Sequence, residues 1–294
     1  MSNITLSCPI TDPKAIIHIV HGMSEHMGRY KHFAQFLNGE GYAVFGNDLK
    51  GHGFAAGEIE NVGFFAEKDG WNIVVQDVID LTHELKAAYP GKPLYILGHS
   101  MGSFIARSVI IQEPNICTGL LLSATIGHPG WKGYLGKPLA AFNAGIFGKK
   151  GRTELLTNIS FGHFNRKIKN PRTKQDWLSR DPEMVDAYIN DPYCMQTFTW
   201  QFYYDMAHGL LEINKSGNYK KVNKDMRLLI ISGTMDPAGE YGKGPKEVYS
   251  KFLKAGVKDI HLELVKEGRH ELLNETNRDE VYQILVDWIE NKSG

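Results

Sequence analysis

Three widely spaced residues of this chain could together carry out nucleophilic chemistry: Ser100, Asp236 and His270. Ser100 sits in Gly98-His99-Ser100-Met101-Gly102. A serine hydroxyl is a weak nucleophile at neutral pH. It needs a base to take its proton, an acid to orient that base, and donors for the oxyanion that forms. Asp236 stands in Thr234-Met235-Asp236-Pro237 and His270 in Glu267-Gly268-Arg269-His270. The order is serine, acid, histidine, with separations of 136 and 34 residues. The first interval has room for an inserted domain, the second for one helix and one strand. Each residue also has a plainer reading. Ser100 could cap a helix at an ordinary β-to-α turn, Asp-Pro often only initiates a turn, and His270 is one of twelve histidines. Glu240, four residues past Asp236, is the reserve acid.

The surrounding elements favour the chemical reading. Pro93-Leu94-Tyr95-Ile96-Leu97 is a short apolar run that reads as a buried strand. After Ser100, Phe104, Ile105, Ser108, Val109 and Gln112 recur at helical spacing until Pro114 stops them. A serine at such a corner is held in a strained conformation that lifts its hydroxyl clear of the sheet, and the flanking glycines avoid collisions there. Arg227–Gly233 is an apolar strand running into Asp236, and Ile260–Val265 alternates like a strand before His270. Both residues therefore fall on loops past strand ends. Near the N-terminus the apolar run 15–20 opens into His21-Gly22-Met23, where a second oxyanion donor is expected. The first is the N–H of the residue after the nucleophile, so Met23 and Met101 are assigned as backbone donors. Without the serine corner, His21-Gly22 would read as a plain turn.

Strands near 15–20, 42–46, 94–98, 119–123, 227–232 and 259–265 alternate with helical patterns near 30–38, 69–89, 101–112, 245–255 and 277–290. This alternation predicts a parallel sheet covered on both faces, with chemistry at the C-terminal strand ends. The segments His21-Gly22-Met23-Ser24-Glu25-His26-Met27-Gly28-Arg29-Tyr30, Asp48-Leu49-Lys50-Gly51-His52-Gly53 and Gly98–Gly102 together resemble the monoacylglycerol lipase and lysophospholipase group of α/β-hydrolases. Leu178–Pro192 is similar to that group's cap region, and Gly268–Glu275 to its terminal histidine loop. The resemblance covers nearly the whole chain. It implies the α/β-hydrolase fold, a mostly parallel central sheet with helices on both faces and an inserted helical cap. It further implies the triad Ser100, Asp236 and His270, and a hydrophobic acyl tunnel under a mobile cap. The group also includes carboxylesterases and is grouped broadly with serine aminopeptidases. Ser103 departs from the third glycine or alanine many members carry, a change expected to affect helix packing only.

Residues 128–222 break the alternation and carry no apolar strand. The expected organisation is a core of 1–127 and 223–294 with a cap of 128–222, entered through a flexible hinge at His128–Gly136. Trp131, Tyr134, Leu135, Leu139, Phe142, Ile146 and Phe147 could line an acyl pocket, dip into a membrane surface, or pack the cap on the core. Phe202 belongs to a second aromatic group spread round a helix, facing partly core and partly substrate. Trp131, Leu139, Phe142 and Phe202 are the expected substrate contacts. Between 128 and 176 ten basic residues face two acidic ones. Such a run is either a solvated face or an attraction for anionic lipid.

Thirty-three basic and thirty-three acidic residues balance, which argues against nucleic acid as a partner. Cys8, Cys117 and Cys194 are too scattered for a disulfide scaffold or a zinc cluster. Neither a secretion signal nor a membrane-length apolar run is present, so cytoplasmic residence is expected, with peripheral membrane contact through the cap. The expected activity is cleavage of acyl esters of monoacylglycerol or lysophospholipid through an acyl-enzyme on Ser100, with neither metal nor cofactor. The alternatives are a short-chain carboxylesterase or aminopeptidase of the same fold, or a hydrolase-fold receptor that binds a small ligand with negligible turnover.

Overall fold

The structure, a computed structural model, describes residues 5–291, without the side chains of 131–133; the expectation for Trp131 lies outside the described residues. Seven strands form one sheet: β1 (Leu6–Cys8), β2 (Ile16–Val20), β3 (Ala43–Gly46), β4 (Leu94–His99), β5 (Gly119–Ser123), β6 (Arg227–Gly233) and β7 (Ile260–Val265). Their order is β1-β3-β2-β4-β5-β6-β7, with β1 antiparallel to β3 and every other pairing parallel. The sheet is therefore mostly parallel, as expected. β1 is the strand the sequence did not reveal: three residues at an edge offer no apolar run to detect.

Period-2 alternation divides the side chains between two cores. Leu94 and Ile96 of β4 point to the face covered by α2 (Gly70–Ala88), α3 (Met101–Gln112) and α9 (Lys243–Ala255). Tyr95 and Leu97 point to the opposite face, covered by α1 (Lys31–Gly39) and α10 (Arg278–Ile289). In α10, Val281, Leu285, Trp288 and Ile289 are buried at helical spacing. Burial on both faces is why β2 to β6 read as continuous apolar runs, whereas β7, at the edge, alternates.

Between β5 and β6 lie α4 (Gly130–Phe147), α5 (Glu154–Phe161), α6 (Pro182–Asn190), α7 (Trp200–Ile213) and the short α8 (Ser216–Tyr219). Where the sequence suggests a hinge at 128–136, α4 has already begun at Gly130, and it runs on through Pro138. Its glycines and proline weaken it locally. Packing overrides them, because α4 lies against α7 and buries Ala140 and Ala144. A separate small core of Phe164, Trp177, Leu178, Tyr188 and Cys194 organises the middle of this segment. No helix among the described residues is long and apolar enough to cross a membrane.

Candidate active site

Ser100 follows β4 and immediately precedes α3, with φ 49° and ψ −117°, a backbone conformation that side chains rarely adopt. The turn is too tight for side chains on either side. A Cβ on Gly98 would lie 2.5 Å from the Gly102 carbonyl oxygen, and one on Gly102 would lie 2.0 Å from that of Val20. Ser100 N–H donates to the Ser123 carbonyl at 2.9 Å, which fixes the corner to β5.

The loops after β6 and β7 meet this corner. Ser100 Oγ is 2.9 Å from His270 Nε2, and His270 Nδ1 is 3.0 Å from Asp236 Oδ1. Asp236 is fully buried, and the same oxygen accepts the Ala238 N–H at 2.9 Å. Glu240, the reserve acid, is exposed. Burial pulls the His270 imidazole down, but the charge and hydrogen bond of Asp236, with Glu271 and Glu25, outweigh it and hold the ring above its ordinary value. The neighbouring rings of Trp177 and His99 have centroids 5.0 and 5.1 Å from that of His270. This arrangement can take a proton from Ser100 as its oxygen attacks, keeping Nδ1–H directed at Asp236.

The loop after β2 packs on the serine corner. A Cβ on Gly22 would meet Ser100 Cβ at 3.2 Å. Met23 follows, half-buried, and Met101 N–H opens helix α3, where the backbone dipole favours negative charge. The loop is braced from within. His21 Nε2 accepts the Leu49 N–H at 2.8 Å, which puts the ring proton on Nδ1, 2.7 Å from the Gly22 carbonyl. Asp48 accepts the Met27 and Phe54 N–H groups, each at 2.8 Å.

Three charged residues that the sequence motifs do not single out, Glu25, Arg29 and Glu271, surround the site. Glu25 accepts the Gly22 N–H at 2.5 Å and the Tyr30 hydroxyl at 2.8 Å. Arg29 grips both oxygens of Glu271 at 2.6 and 2.7 Å. The His270 loop also hydrogen-bonds the inserted segment: Glu271 N–H donates to the Leu178 carbonyl at 2.7 Å, and Arg269 to those of Asp176 and Ser179 at 2.5 and 2.8 Å. Charged residues inside the motif His21–Tyr30 and next to His270 were the available signal.

Of the expected substrate contacts among the described residues, one is enclosed in the core and two face outward. Phe202 is wholly buried, packed against His52, Phe65 and Phe198 in the core, because α7 turns that side toward the sheet. Leu139 and Phe142 face outward, 39% and 68% exposed, since α4 packs through its alanines. Several of the expected basic residues are engaged internally. Arg172 pairs with Asp186, and Arg152 donates to the carbonyls of Val62, Thr197 and Glu60. One group among the described residues has metal-ligand chemistry: His26, Asp191 and Cys194, whose donor atoms lie within 4.8 Å of one another. His26 Nε2 donates to Asp191 at 2.8 Å while Nδ1 accepts the Gly28 N–H, and burial pushes the Cys194 thiol up. That is a hydrogen-bonded group with the imidazole in the wrong tautomer for a metal at Nε2.

The family described as "Serine aminopeptidase, S33" matches residues 11–277. Human monoglyceride lipase is 32% identical over 184 residues, 63% of this chain and 54% of that protein, so the match spans about half the length of that relative. A monoacylglycerol lipase of Mycolicibacterium smegmatis is 26% identical and covers 96% of this chain and 90% of its own. Among solved structures, a thermostable carboxyl esterase from Bacillus coagulans in complex with glycerol superposes with a TM-score of 0.87 at 30% identity, over 96% of this chain and 91% of that one. The fold is that of the α/β-hydrolases, and the chain belongs to the serine aminopeptidase S33 family.

Proposed function

We propose that the chain is a serine ester hydrolase of the lipase and lysophospholipase type, acting on acyl esters of monoacylglycerol or lysophospholipid. Ser100 Oγ attacks the ester carbonyl as His270 Nε2 takes its proton. Asp236 fixes the imidazole tautomer and stabilises the imidazolium. The N–H groups of Met23 and Met101 hold the oxyanion, and His270 then protonates the leaving alcohol. Water, deprotonated by the same imidazole, releases the acid from the acyl-enzyme. The single observation that carries this reading is the continuous series from Ser100 through His270 to buried Asp236 at 2.9 and 3.0 Å.

Residues 128–222 act as the cap over this site. The outer face of α4, with Leu135, Leu139, Phe142 and Ile146 at i, i+4, i+7 and i+11, is exposed apolar surface of the kind that meets a lipid interface. With the names of the lipase relatives, it supports a lipid ester as substrate and peripheral contact with a membrane. Three free thiols support a reducing, cytoplasmic setting. The likeness to a carboxyl esterase favours a second reading, a short-chain esterase of the same mechanism. A panel of monoacylglycerols, lysophospholipids, acetyl esters and aminoacyl amides separates these. The first reading expects the highest kcat/KM for medium or long acyl chains, and an optimum at acetyl esters would overturn it.

A further inference from the structure

Two buried carboxylates and one half-buried guanidinium lie beside the candidate site, and the reaction as proposed uses none of them. Arg29 is half-buried with Glu25 and Glu271 fully enclosed. Burying charge is unfavourable unless pairing and hydrogen bonds compensate. Here they do: Arg29 Nη1 and Nη2 donate to Glu271 at 2.6 and 2.7 Å, and Nη1 lies 3.4 Å from Glu25. Two parallel bonds between planar groups set orientation as well as distance.

What each group holds is more telling than the pairing itself. Glu271 directly follows His270. Glu25 Oε1 holds the Gly22 N–H, one residue before Met23, and a Cβ on Gly22 would lie 3.2 Å from that of Ser100. The ring of Tyr188, from α6, lies 4.9 Å from the guanidinium. One side chain thus connects the loop carrying the base, the loop assigned the oxyanion donor, and the cap segment.

We infer that Arg29, with Glu25 and Glu271, forms a positioning unit that sets the base loop and the oxyanion loop relative to each other. The inference rests on the proposed roles of Ser100, His270 and Met23. A shift of about 1 Å between such loops suffices for roughly a hundredfold loss in rate. Lysine in place of Arg29 keeps the charge but not the fork. The charge of Glu271 also acts on His270 directly, together with Asp236 on the β6 loop and Glu25 on the β2 loop. His99, on β4, is held neutral by burial and by His270, at about 3.

Purified chains of residues 1–294, assayed with a soluble p-nitrophenyl ester over a pH series, test this. Arg29→Lys should lower kcat at least tenfold, roughly, while KM stays within about threefold, because positioning acts on the transition state. Glu271→Gln should move the acid limb of kcat/KM to lower pH, since loss of that charge lowers the His270 pKa. Either a kcat for Arg29→Lys within twofold of the parent, or a kcat for Glu271→Gln within twofold of the parent on the plateau above its acid limb, overturns the inference. An Arg29→Lys chain without a cooperative unfolding transition leaves the isosteric Glu271→Gln to decide alone. Ser100→Ala serves as the reference. If it retains turnover, the proposed mechanism fails, whereas an inactive Ser100→Ala beside an active Arg29→Lys removes only the positioning unit.

Discussion

Gly102→Ala adds one methyl group where the serine corner meets the loop after β2. The new Cβ would stand 2.0 Å from the Val20 carbonyl oxygen and 2.5 Å from that of His21, against an ordinary contact of 3.4 Å or more. Both obstacles are backbone, so no side-chain rotation relieves them. The helix and the loop must separate by about 1 Å or more. Overpacking of this kind costs about 1–3 kcal/mol. Alanine's better helix propensity returns at most about 1 kcal/mol. The net destabilisation is therefore at most about 3 kcal/mol, several degrees in Tm for a chain of this size. Catalysis should suffer more, because the loop that moves carries Met23; a displacement near 1 Å implies a kcat loss of about a hundredfold. Gly136→Ala and Gly145→Ala, in α4, are the controls, since an added Cβ there meets nothing within 4 Å. Each should be neutral or stabilising and leave kcat alone. Scanning calorimetry and steady-state hydrolysis of a soluble ester provide both readouts. A Gly102→Ala protein with kcat within threefold of the parent would refute the reasoning.

Asp236→Asn should lower kcat by roughly 10⁴ by admitting the wrong histidine tautomer, whereas Glu240→Gln should be mild; the reverse ranking in steady-state kinetics would reassign the acid. Because the base acts when neutral and its pKa is held above the ordinary 6.5, the acid limb of kcat/KM should lie above pH 6.5, and a limb below pH 6 would contradict the electrostatics. Stability should fall in acid. Burial lowers His18, His21, His52 and His99 to about 3, so below 6.5 the unfolded chain binds protons that the folded chain does not. Each contributes a loss of up to about 1.4 kcal/mol per pH unit, offset in part by His270, whose raised pKa stabilises the fold at low pH and ceases to as pH rises through it. Urea midpoints that do not change from pH 7.5 to 5.5 would disprove this. On the outer face of α4, Phe142→Asp and Leu139→Asp should weaken partition to anionic vesicles about tenfold or more while leaving hydrolysis of soluble acetyl esters unchanged. Equal partition of parent and variants would remove the membrane role from α4.

The catalytic candidates were legible because each sits just past a strand: β4 and β6, buried on both faces, are continuous apolar runs, and β7, at the sheet edge, alternates. Ser100, Asp236 and His270 could thus be picked from their surroundings without any knowledge of their contacts. β1 escaped notice because three residues at a sheet edge carry no periodic signal. Gly130–Phe147 was obscured by its glycines and Pro138, whose local cost is overcome by packing against α7, a contact no local pattern encodes. Phe202 shows the same limit: its aromatic character suggested a ligand contact, but its direction depends on how α7 lies on the core. The pairing of Arg29 with Glu271 joins residues 242 positions apart, and only the fold makes them neighbours.

Everything proposed for this chain requires Ser100 to be its activated nucleophile. The most direct measurement is reaction with a fluorophosphonate probe, followed by peptide mass spectrometry to locate the adduct. One adduct is expected, on Ser100, formed by the parent and absent from Ser100→Ala, with formation slowing as His270 becomes protonated at low pH. An adduct on another residue, labelling that persists in Ser100→Ala, or no labelling of the folded parent would contradict it.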